Sequence, residues 1–267
     1  MRRAICILGI LALTALFAAS GAQGYSGGPL RNVTDLSPTC AGCHSSMQKE
    51  QLRVEPEAFA ASQFVENKHY KQLEAGEGPY KDMAPADRQK LLEDVRTHDA
   101  NASVTLSVPS SVRPGQEVQV TATVKGGSGV VGVMLLDTDL RFQSRPISGD
   151  GWVIAGAPKV WGPDGREQTR WVDSRGPGLK KNLNVALIFD MKSDIPAKKF
   201  PEGKVTWSVR APQEPGSYSM AVAFIYGSEK ASPVGSVERA GTVFPRGGPA
   251  GPSSHILFSR VQQITVR

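Results

Sequence analysis

Hydrophobic and polar residues alternate along most of the chain after Asn101, with the period of two that half-buried β-strands show. Turns rich in Gly and Pro separate most of these runs, and none of the runs has a helical period. Such a pattern predicts an antiparallel β-sandwich over residues 102–267. Its strand-like runs are residues 103–108, 117–124, 130–136, 151–155, 183–189, 204–210, 217–226 and 255–266.

Two long loops rich in Gly and Pro interrupt the predicted sandwich, at residues 156–181 and 229–254. Long loops on a rigid scaffold often bind partners. The first loop contains Trp161 and Trp171, and tryptophan side chains are usually well buried. We therefore expect these two residues to pack across an open end of the sandwich.

Ahead of Asn101 the pattern is helical. Pro85 and Asp87 suit the first turn of a helix, whose apolar face is formed by Leu91, Leu92 and Val95. A second helix is predicted over residues 56–75. The predicted organisation is therefore a small helical unit at residues 23–101, followed by the sandwich.

The first 22 residues have the layout of a secretory signal peptide. Arg2 and Arg3 precede a short apolar run, and Ser20 and Ala22 occupy the positions expected before a cleavage site. A membrane anchor is the alternative, but the run is short for a span and no basic cluster follows it. This layout predicts export to the periplasm, the extracellular space or the cell surface of a bacterium, without membrane association after cleavage.

Composition and charge narrow the function further. The chain has 267 residues, of which 40% are hydrophobic and 21% charged, which excludes a bundle of transmembrane helices and a wholly disordered chain. Signal removal leaves 29 Lys and Arg against 25 Asp and Glu, a net charge of +4. No basic run interleaved with aromatic residues suggests a nucleic-acid partner. No common catalytic motif is present, so an enzyme is not the favoured class.

The chain contains three cysteines, Cys6, Cys40 and Cys43, and the first lies within the predicted signal peptide. The other two form Cys40-Ala-Gly-Cys43-His44. A redox dithiol would follow a strand, whereas the preceding residues are polar and turn-like. A zinc site would need a second pair of ligands at close spacing. The spacing is the signature of covalent haem attachment, with thioether bonds to both cysteines and His44 as the proximal iron ligand. It predicts one haem c.

Two residues are candidates for the distal iron ligand. His69 would give bis-His ligation, and Met83, just ahead of the predicted helix, would give His/Met ligation with a higher potential. His98 ends that helix, where a cationic side chain suits the helix dipole. His255 could reach the haem only from the second domain.

The Cys40–His44 motif and the signal peptide resemble those of c-type cytochromes, and Met83 before a final amphipathic helix resembles the class I arrangement. This chain has Met-Ala-Pro where that family has Met-Pro. The resemblance implies a cytochrome c-like helical domain with Tyr80, Leu91, Leu92 and Val95 around the porphyrin.

Four short motifs in the second half resemble the reelin-type (reeler) immunoglobulin-like domain. They are the Arg113-Pro-Gly turn, the Gly132-Val-Met-Leu strand, the Trp207 strand ending in Ala211-Pro212 and the strand begun by Gly216. The resemblance implies a sandwich module of secreted proteins, sometimes coupled to haem redox domains, without catalytic residues. The predicted fold class is thus α+β in two domains, a helical cytochrome c-like domain followed by an all-β, reeler-like sandwich.

Together these features predict an exported monohaem c-type cytochrome that carries one electron between redox proteins, with the sandwich as its docking module. One alternative is a haem-based sensor or peroxidase-like enzyme with a displaceable sixth ligand. Another is an adhesion or assembly module in which the haem is accessory.

Overall fold

Two antiparallel β-sheets packed face to face form most of the structure. The computed structural model describes residues 70–137, 147–173, 183–246 and 254–267. The first sheet has the order β1-β3-β8, and both β5 and β6 pair with the outer side of β8. Its strands are β1 (Ser103–Ser107), β3 (Glu117–Lys125), β5 (Val153–Ile154), β6 (Lys159–Trp161) and β8 (Glu202–Arg210).

The second sheet has the order β2-β13-β9-β4-β7, and β12 also pairs with β9. Only the pairing of β2 with β13 is parallel among the described ladders. A separate hairpin is formed by β10 (Ser236–Arg239) and β11 (Thr242–Pro245). The strands of the second sheet are β2 (Ser111–Val112), β4 (Ser128–Leu136), β7 (Val185–Lys192), β9 (Gly216–Gly227), β12 (Ser254–Phe258) and β13 (Gln262–Val266).

This strand order is that of an immunoglobulin-like sandwich. The first sheet has four antiparallel strand positions. In the second sheet β2, which comes first in the chain, runs parallel to β13, which comes last, and the chain crosses between the sheets as in a Greek key. One departure is that β5 and β6, which occupy the edge beside β8, come before β7 in the chain. In chain order, β4 pairs in the second sheet, β5 and β6 pair in the first, and β7 pairs in the second again.

Alternation along the strands explains the core. In β3 and β8 every second residue is buried, as expected for strands with one face on the core and one in solvent. In β4 and β9 the apolar runs are nearly continuous, and their residues are buried on both sides. Trp152, Trp171 and Trp207 are fully buried in the main apolar core, whereas Trp161 is half-buried. Trp171 is thus buried as expected and Trp161 only partly, while their packing across an open end of the sandwich stays a prediction.

Helices are few in the described part of the chain. They are α1 (Lys71–Ala75), α2 (Pro85–Asn101) and the four-residue α3 (Arg170–Asp173), with 3-10 turns at Gly78–Tyr80, Ile147–Asp150 and Glu229–Ala231. None of these helices is long and apolar enough to cross a membrane. Pro85 lies in the first turn of α2, as the sequence predicts.

The apolar face of α2 packs on the turn before it and on the sandwich. Leu91, Leu92 and Val95 form a buried cluster with Leu73, Tyr70, Tyr80 and Met83. Val234, which follows the 3-10 turn after β9, packs against this cluster. The second half of the chain therefore supplies part of the surface that buries the helix.

The interpretation of the chain as a cytochrome c-like helical domain joined to a reeler-like sandwich is wrong. Most of the described chain is β-sheet, with two short helices ahead of it, and none of its side chains forms a metal-binding group. The physical reason lies in the packing of α2. Its apolar face, assigned by the resemblance to a porphyrin, is buried against neighbouring side chains and Val234. The sandwich itself is confirmed, and the division at residues 101 and 102 stays a prediction.

Most of the predicted strands are present, with shifts of at most three residues at their ends. The predicted run at 255–266 is divided into β12 and β13 by an irregular break at residues 259–261. The sequence did not predict β2, β6 or the β10–β11 hairpin. These strands are short, and pairing with longer neighbours, rather than their own pattern, defines them.

The tight turn between β10 and β11 gives a test of local backbone strain. Ala240 and Gly241 connect the paired residues Arg239 and Thr242, and both have positive φ, 50° and 74°. Such two-residue turns favour Asn or Gly at the first position. We expect Ala240→Asn to raise the free energy of unfolding by about 0.5–1 kcal/mol, because a left-handed Ala costs about 1–2 kcal/mol. Urea denaturation measures this change. Ala240→Val should lower the same quantity, and equal stability of the two variants would contradict the strain.

Candidate functional site

A buried carboxylate, Asp99 in the last turn of α2, lies at the centre of a polar cluster between the helix and the sandwich. Three hydroxyl groups donate hydrogen bonds to it. The Tyr70 hydroxyl lies 3.0 Å from Oδ2, and the hydroxyls of Tyr226 and Ser228 lie 3.2 and 2.6 Å from Oδ1. His255 Nδ1 lies 3.2 Å from Oδ2, and the side chains of His255 and Asp99 are only 8% and 6% exposed.

Strand pairing positions two of these partners. Tyr226 in β9 and His255 in β12 are opposite each other in the antiparallel ladder. Their rings stack, with centroids 5.4 Å apart and planes 17° apart. The stacked pair therefore presents a hydroxyl and an imidazole nitrogen to the same carboxylate, and the sheet fixes the direction of both.

His98 joins the cluster from the helix. Its ring is fully buried and meets the Tyr226 ring edge to face at 5.2 Å. The backbone N–H of Gly127 donates to His98 Nε2 at 2.9 Å, and Ser193 Oγ lies 3.1 Å from the same nitrogen. The ring nitrogen nearer to Asp99 is Nδ1. That nitrogen lies 3.7 Å from Asp99 Oδ1. His98 and His255 therefore both face the Asp99 carboxylate.

Gly127 is required for this approach. It has a φ of +87°, and a Cβ atom there would lie 2.5 Å from Val131 Cγ1. Any other residue would strain the turn between β3 and β4 and clash with the core. The close turn delivers the Gly127 N–H to His98, while Ser193 Oγ donates to the Gly127 carbonyl at 2.7 Å.

The electrostatics of the cluster favour a charged Asp99. Burial by itself raises the pKa of this carboxyl, but the charge and hydrogen bonding of His255, and then of His98, outweigh burial and hold the pKa well below its usual range. Burial and the charge of Asp99 raise the pKa of Tyr226 well above its usual range. Tyr226 therefore stays protonated and donates to Asp99.

Two further buried carboxylates connect the helical segment to the 3-10 turn after β9. Glu229, which is fully buried, accepts a hydrogen bond from the Tyr80 hydroxyl. Asp94 accepts from Ser232 Oγ at 2.7 Å and pairs with Lys90 one helical turn earlier. The contact between helix and sandwich is therefore held by an apolar cluster and by charge-assisted hydrogen bonds at both of its sides.

The arrangement is suited to anchoring rather than to metal binding. Within residues 70–137, 147–173, 183–246 and 254–267, no three His, Cys, Asp or Glu side chains are placed to hold a metal ion. The donors around Asp99 are used within the protein, and two rings cover it. The Asp99 carboxylate thereby connects α2 to the residue before α1, to the end of β9 and to β12.

The predicted haem-attachment residues Cys40, Cys43 and His44, and the candidate distal ligand His69, lie outside the described residues, and their roles stay predictions. The alternative ligand Met83 is buried, at 4% exposure, in the apolar cluster of α2. Its backbone N–H donates to the Tyr80 carbonyl at 3.0 Å. Its role as an iron ligand also stays a prediction.

Sequence reasoning did not identify Asp99. It assigned His98 to the helix dipole and considered His255 only as a remote haem ligand, yet these two histidines flank the same carboxylate. An acidic residue at the C-terminal end of a helix opposes the dipole, so Asp99 next to His98 was the one available signal. Its partners other than His98 lie 29 to 156 positions away, and no local pattern connects them.

Comparisons with known proteins identify no family. No family model and no curated protein matches the chain. Among solved structures, the CARDB domain of a Pyrococcus furiosus protein is similar at 10% identity and a TM-score of 0.24, over 62% of this chain and 88% of that one. A PapD-like domain of human CEP192 is similar at 12% identity and a TM-score of 0.21, over 62% and 84%. Similarities at this level carry no argument about function.

Removing the charge at the centre of the cluster gives a direct test. We expect Asp99→Asn to lower the free energy of unfolding by about 3 kcal/mol, because three buried hydroxyl donors would lose their charged acceptor. Chemical denaturation followed by circular dichroism measures the loss. The control is Asp82→Asn at an exposed position, which should change stability by less than about 0.5 kcal/mol. Equal effects of both variants would refute the anchoring role.

The pH dependence of stability follows from the lowered pKa of Asp99. The unfolded chain binds a proton at Asp99 more readily than the folded one, so its contribution is complete above the ordinary Asp pKa of about 3.9 and is lost as the pH falls through the lower folded pKa. We expect the difference in unfolding free energy between wild type and Asp99→Asn to shrink as the pH falls below about pH 4. A difference that grows on acidification would contradict this sign.

Proposed function

We propose that the protein is an exported one-electron carrier with one haem attached covalently to Cys40 and Cys43, and with His44 as the proximal iron ligand. The observation that carries the proposal is the pentapeptide Cys40-Ala-Gly-Cys43-His44 behind a secretory leader. Once the leader is removed, these two are the only cysteines of the chain, and both are used by this attachment. The bound haem would supply reversible iron oxidation and reduction.

The packing of the following segment supports His69 as the distal ligand. His69 directly precedes Tyr70, whose hydroxyl donates to the buried Asp99. Met83, in contrast, is already packed in the apolar cluster of α2. Bis-His ligation would give a lower potential than His/Met ligation.

The sandwich is the proposed docking module for the redox partners. Tyr70 is 26 positions after His44, so the haem-binding residues are separated by a short stretch from a segment that is fastened to the sandwich. A partner that binds the sandwich would therefore be attached to the same chain as the haem. The net charge of +4 of the secreted chain favours a partner with an acidic surface.

Haem attachment is tested on the full chain with its leader, produced in a bacterium that attaches haem c. We expect one haem per chain by mass spectrometry of the denatured protein, because thioether bonds survive unfolding. The double substitution Cys40→Ala and Cys43→Ala should abolish attachment. Cys6→Ala, within the leader, is the matched control and should retain it. A wild-type protein exported without covalent haem would overturn the proposal and leave adhesion or assembly as the role of the sandwich.

The same haem-loaded protein distinguishes a carrier from a sensor or a peroxidase-like enzyme. A carrier keeps six-coordinate, low-spin iron in both oxidation states and does not bind carbon monoxide when reduced. Binding of carbon monoxide, or turnover of peroxide, would instead support the alternative with a displaceable sixth ligand. Truncation after residue 101 is not a suitable test of docking, because it would remove Tyr226, Ser228 and His255 from Asp99.

A further inference from the structure

The outer strand of the second sheet, β7, is covered along its free side by an insert of the same chain. Among the described strands, β7 pairs only with β4. An outer strand presents backbone groups to which a strand of another molecule can add. The insert that covers it runs from Gly162 to Asp173, between β6 and β7.

A single side chain takes the place of a neighbouring strand. The Gln168 carboxamide accepts the Phe189 N–H at Oε1, at 2.9 Å, and donates from Nε2 to the Phe189 carbonyl, at 3.1 Å. A carboxamide has the donor and the acceptor of a peptide group. Gln168 therefore reproduces both hydrogen bonds that a paired strand would make with Phe189.

The backbone of Gln168 is held by the other sheet. Its N–H donates to the Val160 carbonyl of β6 at 2.7 Å, and the Gly162 N–H donates to Arg166 at 2.9 Å, which closes a short hairpin. Because β6 pairs with β8 of the first sheet, Gln168 connects the two sheets along this side. Its position is thus set by the fold and not by a freely moving loop.

Two further residues complete the cover. Trp171 is fully buried, and its indole N–H donates to the Val185 carbonyl at 3.0 Å. The Arg170 guanidinium lies 4.3 Å from the centre of the Phe189 ring. The insert therefore occupies backbone groups of Val185 and Phe189 on the same side of β7.

These groups are arranged symmetrically about Leu187. Alternate residues of a strand direct their backbone groups to the same side, so Val185, Leu187 and Phe189 share the free side of β7. Asn184 faces the other way, since its carbonyl accepts the Leu135 N–H of β4. Two copies of β7 running antiparallel about a two-fold axis at Leu187 would pair each Val185 with the partner's Phe189. The groups that the insert occupies are those that this self-pairing would use.

We propose that the insert Gly162–Asp173 is a built-in edge guard, which keeps β7 from pairing with β7 of a second copy of this chain. A two-fold contact is favoured over a foreign strand because the edge is complementary to itself and closes after one partner. The guard acts through Gln168, whose two hydrogen bonds compete with those of the incoming strand.

Gln168→Ala tests the guard. Sedimentation equilibrium of the full secreted chain should show at least tenfold stronger self-association in this variant than in wild type, with a dimer as the end state. Hydrogen exchange should show protection of the Leu187 amide that increases with protein concentration. Gln119→Ala is the matched control, because Gln119 is exposed on β3 of the first sheet, and it should associate as wild type does.

Gln168→Glu is the second variant, in case removal of the side chain prevents folding. It retains the acceptor for Phe189 N–H and loses the donor to the Phe189 carbonyl, so an intermediate gain in self-association is expected. A folded Gln168→Ala that exchanges the Phe189 amide faster but stays monomeric at all concentrations would overturn the proposal. A wild-type dimer already paired through β7 would overturn it equally.

Discussion

The burial of one negative charge organises the contact between the helical segment and the sandwich. Removing the Asp99 carboxylate from water is costly unless hydrogen bonds and opposite charge replace the lost hydration. The protein supplies three hydroxyl donors and two imidazole rings from four separate segments. Each donor is in place only when β9, β12 and α2 have reached their final positions. The buried charge of Asp99 is therefore compensated only in the correctly assembled fold.

Neutral groups satisfy buried polar atoms in a similar way along the outer edge of β7. There, Gln168 and Trp171 complete the hydrogen bonding of β7 where no strand follows. Both places involve the segments that depart from a plain immunoglobulin-like sandwich, namely the leading helix and the insert ahead of β7. These additions therefore satisfy polar groups beside the two sheets as well as bury apolar side chains.

The helix α2 shows how a correct local prediction led to a wrong tertiary one. Pro85 and the spacing of Leu91, Leu92 and Val95 predict the helix and its buried face, and the structure has both. The pattern states that this face is buried, but an apolar stripe does not specify what covers it. A porphyrin and Val234 of the sandwich are equally compatible with the stripe. The resemblance to c-type cytochromes assigned this face to a porphyrin, whereas in the structure it packs against Val234 of the sandwich.

By itself, the sequence determined the sandwich and most of its strands, since alternation and Gly/Pro turns are local signals. It also determined the predicted chemistry, because Cys40, Cys43 and His44 are adjacent in the chain. Only the tertiary structure decided that His98 and His255 flank Asp99 and that Gln168 faces Phe189. The His255–Asp99 and Gln168–Phe189 contacts join residues on different elements, whereas His98 and Asp99 are neighbours in α2. The free energy that selects the two longer-range contacts comes from burying polar groups together, which no local window of sequence contains.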